Sequence, residues 1–273
     1  PDIILCREQI KLKNIKAIDS LKIKDIKLKI INIRELEKNQ NCNLINNEKS
    51  TTYQKNSPLF TLYTSGSTGK PKGIVHNAIN FLEYADFTTK YFFGINKYSV
   101  IFTATDVGWI NGHTYAFYGP LSCGSQTIIC EDLTKIVDPI FLNKFADDLE
   151  ITCLYMSVTL LRTLKSNCQL VNYSNKNKLE RIGSCGEPLA HDVGKWAMDF
   201  FKPKRKSIVN TFFQTETGGI LVAPRDEDGV PQDYCCVGKP RKELGIFIAK
   251  EKMTDAELSK EKIEADEILV ANP

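Results

Sequence analysis

The chain reads as an α/β protein, with layered, mostly parallel sheets, flanking helices and a small β-rich C-terminal appendage. Three observations predict it. From residue 58 onward, short apolar runs rich in β-branched and aromatic residues alternate with stretches whose apolar residues recur every three or four positions. That alternation favours parallel pairing, because parallel strands need a crossover and a helix supplies it. After residue 219 the helical period disappears and strand-like runs alone remain.

The strand-like runs are 59–63, 98–104, 126–131, 151–156, 179–183 and 207–213. Between them, Phe81, Tyr84, Ala85, Thr88 and Phe92 fall on one face of a helix. Phe141, Phe145 and Leu149 form a second stripe, after Asp138-Pro139, where Asp caps the helix and Pro sits in its first turn. Leu189, Val193, Trp196 and Phe200 form a third. The appendage holds the runs 244–249 and 267–271. The expected organisation is a peripheral lead-in over 1–57, an α/β region over 58–219 and a β-rich segment over 220–273, with no internal repeat.

A length of 273 residues suits two lobes, and 42% hydrophobic with 25% charged residues is ordinary globular composition. Wholesale disorder, a collagen and a disulfide miniprotein are excluded. The net charge is +3, unevenly placed: residues 1–57 carry 12 Lys+Arg against 7 Asp+Glu, the remainder 24 against 26. The basic excess thus belongs to an Ile/Lys/Asn-rich leader and reads as a solvated face, so no nucleic-acid partner is expected. No apolar run approaches the ~18 residues of a membrane span. The 9 cysteines are scattered without a C-x-x-C pair, and with 3 histidines no zinc spacing appears. Reduced thiols and a cytoplasmic setting are expected. The chain opens on Pro1 and closes on Pro273 after an apolar run, so both ends read as cut, and an organellar leader stays compatible with the sequence.

Ligands of open α/β sheets bind beyond the carboxyl ends of the strands, so the loops there carry the chemistry. The strongest signal is the stretch from Tyr63 to Gly73, Y-T-S-G-S-T-G-K-P-K-G. It follows a strand and is expected to precede a helix. Gly66 and Gly69 free the backbone, Thr64, Ser65, Ser67 and Thr68 add hydroxyls, and Lys70 adds a cation, a set suited to a polyphosphate. It is not a Walker A loop: two residues separate the glycines and Pro71 follows Lys70. Nor is it a G-x-S-x-G elbow. The second signal, Gly183-Ser-Cys-Gly-Glu-Pro188, again ends a strand; Gly186 lets a flat ring approach, and Pro188 is expected to open the next helix. In the third, Asn210-Thr-Phe-Phe-Gln-Thr-Glu-Thr-Gly-Gly219, the aromatics suit a base, Thr215 a phosphate and Glu216 a magnesium ion. Taken singly, the last two also fit a helix-start turn and core aromatics.

Together, and in this order, the three motifs resemble those of the adenylate-forming acyl-CoA synthetases, most closely the AMP-forming acetyl-CoA synthetases. Asp106-Val-Gly-Trp-Ile-Asn-Gly-His113 and Tyr118-Gly-Pro-Leu-Ser-Cys-Gly124 support that subfamily. The resemblance runs from 58 to 273 and is most specific through 219. It implies the large-domain fold of that superfamily and a two-step reaction. A small carboxylate attacks the α-phosphate of ATP to give acyl-AMP and pyrophosphate, and the thiol of CoA then displaces AMP. Carried over by motif, Thr64, Ser65, Gly66, Ser67, Thr68, Gly69 and Lys70 face the β- and γ-phosphates. Gly186, Glu187 and Pro188, with Asn210, Thr211, Phe212, Phe213, Gln214 and Thr215, hold adenine and the α-phosphate, and Glu216 holds Mg²⁺. Trp109, Ile110, Cys185 and Phe213 line the acyl pocket; Asn111 and Lys135 fall where CoA contacts are expected. His76 and His113 read as packing or hydrogen-bonding residues, His191 as a surface one.

The chain departs from the acetyl enzymes at Phe213, where they have Trp, at Asn210 (Asp), at Asn111 (Thr) and at Cys185 (Val). The family's ribose-binding Asp and the small C-terminal domain with the adenylation lysine would follow residue 273. The favoured expectation is therefore a fragment of an ATP-dependent short-chain acyl-CoA synthetase, inactive alone. A propionyl-CoA synthetase-like enzyme and an inert nucleotide-binding remnant are the alternatives. An amidase-like use of a loop serine lacks the Ser-Ser-Gly-Gly arrangement it needs. The oligomeric state is left open.

Overall fold

The computed structural model describes residues 3–6, 29–32, 54, 56–64, 69–130, 133–168, 178–229, 233–241, 245–249 and 267–270. The chain divides into two units, 1–52 and 53–273. In the first, β1 (Ile3–Cys6) pairs in parallel with β2 (Lys29–Asn32).

The second unit opens with an antiparallel hairpin, β3 (Pro58–Thr64) against β4 (Lys72–Asn77). Asn77 leads straight into α1 (Ala78–Phe93), which ends where Gly94, at φ 65°, returns its N–H to the Lys90 carbonyl. Then come β5 (Val100–Ala104), a π-helical turn (Gly112–Tyr118) running into α2 (Gly119–Ser122), and β6 (Gln126–Ile128). They are followed by α3 (Pro139–Asp148), β7 (Cys153–Ser157), α4 (Val158–Asn167), β8 (Arg181–Cys185), α5 (His191–Phe201) and β9 (Val209–Asn210). The last described elements, β10 (Ile246–Ala249) and β11 (Glu267–Val270), pair antiparallel.

Strands β6-β5-β7-β8-β9 form one sheet, parallel throughout. Alternate strand residues enter different cores, as the two-residue period of a strand requires. Phe102, Leu154, Met156 and Ile182 join the buried residues of α3, α4 and α5, among them Leu142, Leu161, Ala197 and Phe201. Ile101, Cys153, Tyr155, Cys185 and Val209 join Phe92 and Phe93 of α1 and Tyr115 of the π-helical turn. Helical segments therefore cover both faces, which explains why these strands read as unbroken apolar runs. Gly183 is forced on β8: a Cβ there would lie 2.6 Å from the Tyr155 ring and 2.7 Å from that of Phe93.

The α/β class is found as expected, and several elements differ in detail. The expected strand over 207–213 shrinks to β9 and one bridge between Phe212 and Val222, because the chain turns back after Thr211. The helix at Pro139 starts as expected, with the Asp138 carboxylate accepting from the amides of Ile140 and Phe141. Its buried face is instead Leu142 and Ala146, and Phe141 and Leu149 are each 40% exposed. In α5 the buried positions are Val193, Gly194, Ala197 and Phe201, while Trp196 and Phe200 stack on each other at its margin. Helix α5 begins at His191, so Pro188 does not open it. Several elements lie where none was expected: β1, β2, β4, α4 and the π-helical turn with α2.

Candidate functional site

The chain leaves β5 toward β6 on one side and later builds β7, β8 and β9 on the other, so the gap between β5 and β7 is the topological switch point. The segments 105–113, 186–188 and 211–216 all follow strands of this sheet and share its carboxyl edge.

After β5, Asp106 turns the chain, its carboxylate accepting from the Gly108 amide at 2.6 Å. Trp109, expected in a pocket, is 68% exposed, whereas Ile110 and Asn111 are buried. The Asn111 side-chain N–H donates to Cys185 Sγ at 3.3 Å, and Cys185 in turn donates to the Met156 carbonyl at 3.7 Å. Burial pushes the Cys185 thiol up to about 12, so it keeps its proton at neutral pH. Phe213, half-buried, packs against both the cluster that holds Cys185 and the one that holds Ile110. Four of the residues assigned to acid or CoA thus form one neighbourhood; Lys135 is exposed on a 3₁₀ turn.

After β8, Gly186 adopts φ +89°, which favours glycine, and faces open space. Exposed Glu187 receives hydrogen bonds from the Thr159 hydroxyl and from Arg162 at 2.7 Å. The hydroxyl first, then the guanidinium, hold its carboxyl below the ordinary 4.5. After β9, Asn210 is used internally. Its carbonyl oxygen accepts from Ser184, and its amide donates to the backbone carbonyls of Tyr234, Cys235 and Cys236. Thr211 is buried, with its hydroxyl on the Ser184 carbonyl and 2.6 Å from the Tyr155 hydroxyl. Gln214 and Glu216 are exposed; Phe212, Phe213 and Thr215 are intermediate.

The stretch 214–220 is held from three elements. The His76 ring bonds the Thr215 carbonyl at 2.8 Å, Thr114 donates to the Gly218 carbonyl at 2.5 Å, and Tyr84 donates to the Ile220 carbonyl at 2.8 Å. Tyr115, fully buried, accepts the Ile220 amide at 2.7 Å and gives its own proton to Thr88. Gly219 permits this close clamp, since a Cβ would lie 2.9 Å from the Tyr84 ring. None of Tyr84, Thr114 and Tyr115 was assigned a role from sequence. The available signal was a tyrosine within an apolar stripe, whose buried hydroxyl must find a partner.

The phosphate-loop stretch proves to join two antiparallel strands, a correction to the expected strand–loop–helix. Thr64 pairs with Lys72 at its base, and α1 starts only at Ala78, so a strand and not a helix follows the loop in sequence. Ser65, Gly66, Ser67 and Thr68 lie outside the described residues. Of the rest, Lys70 is exposed, Gly69 adopts φ +78°, and the Thr64 hydroxyl is buried with no partner among the described residues. The hairpin meets the sheet's carboxyl edge at His76, about 13 Å along β4 from Lys72 at the usual strand rise. Phe60 of β3 stacks on His113 with centroids 4.3 Å apart. His76 and His113 both titrate below 6.5, mainly through burial. His191 pairs with Asp233 at the surface. Cys123, Cys153, Cys185, Cys235 and Cys236 carry free thiols.

A cleft of about 500 Å³ opens beside this edge, lined by Asp106, Val107, His113, Phe117 and Ile129 among others. None of the residues assigned to ATP, acid or CoA lines it.

A parallel sheet covered on both faces, with its motif loops at the carboxyl edge, is the large-domain architecture of adenylate-forming CoA ligases. A benzoate CoA ligase from Burkholderia xenovorans LB400 superposes on 92% of this chain and 48% of its own, with a TM-score of 0.70 at 20% identity. An anthranilate CoA ligase in complex with anthranoyl-AMP superposes on 92% and 46%, with a TM-score of 0.73 at 14% identity. The chain belongs to the AMP-binding enzyme family, whose profile matches residues 2–264. Among similar sequences, acetyl-coenzyme A synthetase 1 of Debaryomyces hansenii is 42% identical over 168 residues, 61% of this chain and 25% of that protein. The acetyl-coenzyme A synthetase of Psychromonas ingrahamii is 39% identical over 168 residues, 61% and 26%. The matched segment thus spans about a quarter of the length of these relatives.

Proposed function

We propose that the chain is the nucleotide-binding part of an ATP-dependent short-chain acyl-CoA synthetase of the cytoplasm. What supports this most is the convergence of loops remote in sequence, 105–113, 186–188 and 211–216, on one sheet edge, in a chain whose relatives include acetyl-coenzyme A synthetases. A carboxylate oxygen attacks the α-phosphorus of ATP and pyrophosphate leaves; the CoA sulfur then attacks the acyl carbonyl and AMP leaves. No covalent bond to the protein is needed, so positioning and charge stabilisation carry the catalysis.

In this scheme Thr64 to Lys70 hold the β- and γ-phosphates. The open backbone at Gly186, with Glu187 and Pro188, takes the adenine, beside Thr211 to Thr215. Asn210 acts from beneath, bracing the 234–236 backbone. Mg²⁺ fits exposed Glu216, since magnesium commonly takes one or two carboxylates plus substrate phosphates. Ile110, Cys185 and Phe213 wall the acid, Lys135 lies toward CoA, and Asn111 stands at the pocket mouth between acid and CoA.

The test is acid-dependent exchange of labelled pyrophosphate into ATP by the full-length protein. Lys70→Ala removes a charged phosphate contact worth about 1.5–3 kcal/mol, so the KM for ATP should rise about tenfold or more. The KM for the acid should change less than about threefold, below one such contact. An unchanged KM for ATP contradicts the phosphate role of the loop.

A further inference from the structure

We propose that the acid activated here carries a hydroxyl group, and that the side-chain carbonyl of Asn111 selects it. This rests on the function proposed above, because it takes the Ile110–Cys185–Phe213 neighbourhood as the acyl pocket. The Asn111 amide nitrogen faces Cys185. Cys185 has one proton and directs it at the Met156 carbonyl, 3.7 Å away. Its sulfur lone pair is then free to accept the Asn111 amide proton at 3.3 Å. The amide nitrogen is thereby engaged and the amide oxygen is left without a donor. That oxygen, Oδ1, is buried and has no hydrogen-bond partner among the described residues.

A buried acceptor without a donor is costly, and a donor arriving with the substrate removes the cost. The surroundings restrict which donor fits. Ile110 lies in an apolar cluster with Phe81 and Ala85, and Phe213 packs against that cluster and against the one holding Cys185. An ammonium group would bring a charge and surplus donors into these apolar walls. A second carboxylate or a ketone offers acceptors only. An alcohol offers one O–H and little else to desolvate, so a short hydroxy acid is the class that matches. The bias can exceed that of an apolar pocket, because a site built around a substrate hydroxyl leaves its own group unpaired when the analogue lacks it.

Two non-hydrolysable acyl-sulfamoyl adenosines of matched size test this, one hydroxyacetyl and one propionyl, titrated calorimetrically into the 273-residue chain. The expected result is about tenfold or tighter binding of the hydroxyacetyl compound, one neutral hydrogen bond's worth. Asn111→Leu should bring the two within about threefold, since it deletes that bond and keeps the volume. Equal wild-type affinities, as when an ordered water already satisfies Oδ1, or a preference for the propionyl compound, overturn the selection while leaving the adenylate site standing. Binding of neither overturns both. The wild-type comparison is decisive without the variant.

Discussion

Tyr115 shows how much one side chain organises this edge. Its hydroxyl takes the Ile220 amide proton and gives its own to Thr88, which gives its proton to the Tyr84 carbonyl. Tyr115→Phe leaves a buried N–H unpaired and should cost about 1–3 kcal/mol in urea unfolding. Tyr84→Phe should cost less, because a carbonyl with two lone pairs loses one bond. The two histidines predict a pH effect. Both are held below 6.5 by burial, so the unfolded chain binds protons more readily. Their contribution to stability is intact above 6.5 and is lost as pH falls through the folded values. Ring titrations followed by NMR should place both midpoints below 6.5; a midpoint above it would contradict the burial of that ring. Phe213 predicts a specificity effect: Phe213→Trp should narrow the pocket and raise the acetate-to-propionate ratio of kcat/KM by about tenfold, one methylene's worth. An unchanged ratio would remove Phe213 from the pocket wall. Little of this network was legible in the sequence. The contacts of Tyr115 and Asn111 span 105 and 74 positions, and no local period encodes such a pairing.

Elements were legible wherever one period dominated. The strands β5, β7 and β8 stood out because both their faces are buried, and the start at Asp138-Pro139 because its capping chemistry is local. Helix α4 was hidden because β7 runs into it across the single cap Ser157, whose hydroxyl accepts from Leu160, with no Gly or Pro to separate the two. Strand β4 was hidden by exposed Lys72, Gly73 and Val75, which blur its alternation. The face of α3 was misjudged because its largest residues, Phe141 and Phe145, stack on each other at the margin while smaller Leu142 and Ala146 fill the core. At this scale Gly183→Ala is the sharpest test of β8 packing. With Tyr155 and Phe93 already 2.6 and 2.7 Å from the new methyl, it should cost about 1–3 kcal/mol by overpacking. A neutral effect on the thermal midpoint would mean that those rings can move aside.

Across the molecule, the order β6-β5-β7-β8-β9 brings the 186–188 and 211–216 loops onto neighbouring strand ends, and the hairpin joins them through His76 and Thr215. The sequence motifs named these loops; the topology supplies the reason they can act together. It also sets them apart from the neighbouring cleft lined by Asp106 and His113. Photo-labelling with an azido-adenine analogue of ATP, followed by peptide mapping, tests the adenine placement most directly. The label should fall on 183–188 and 211–216, and excess ATP should suppress it. Labelling confined to the cleft residues 105–107, 112–113, 116–118, 128–130 and 133, or labelling that ATP does not suppress, would contradict the placement of adenine at 186–188 and 211–216.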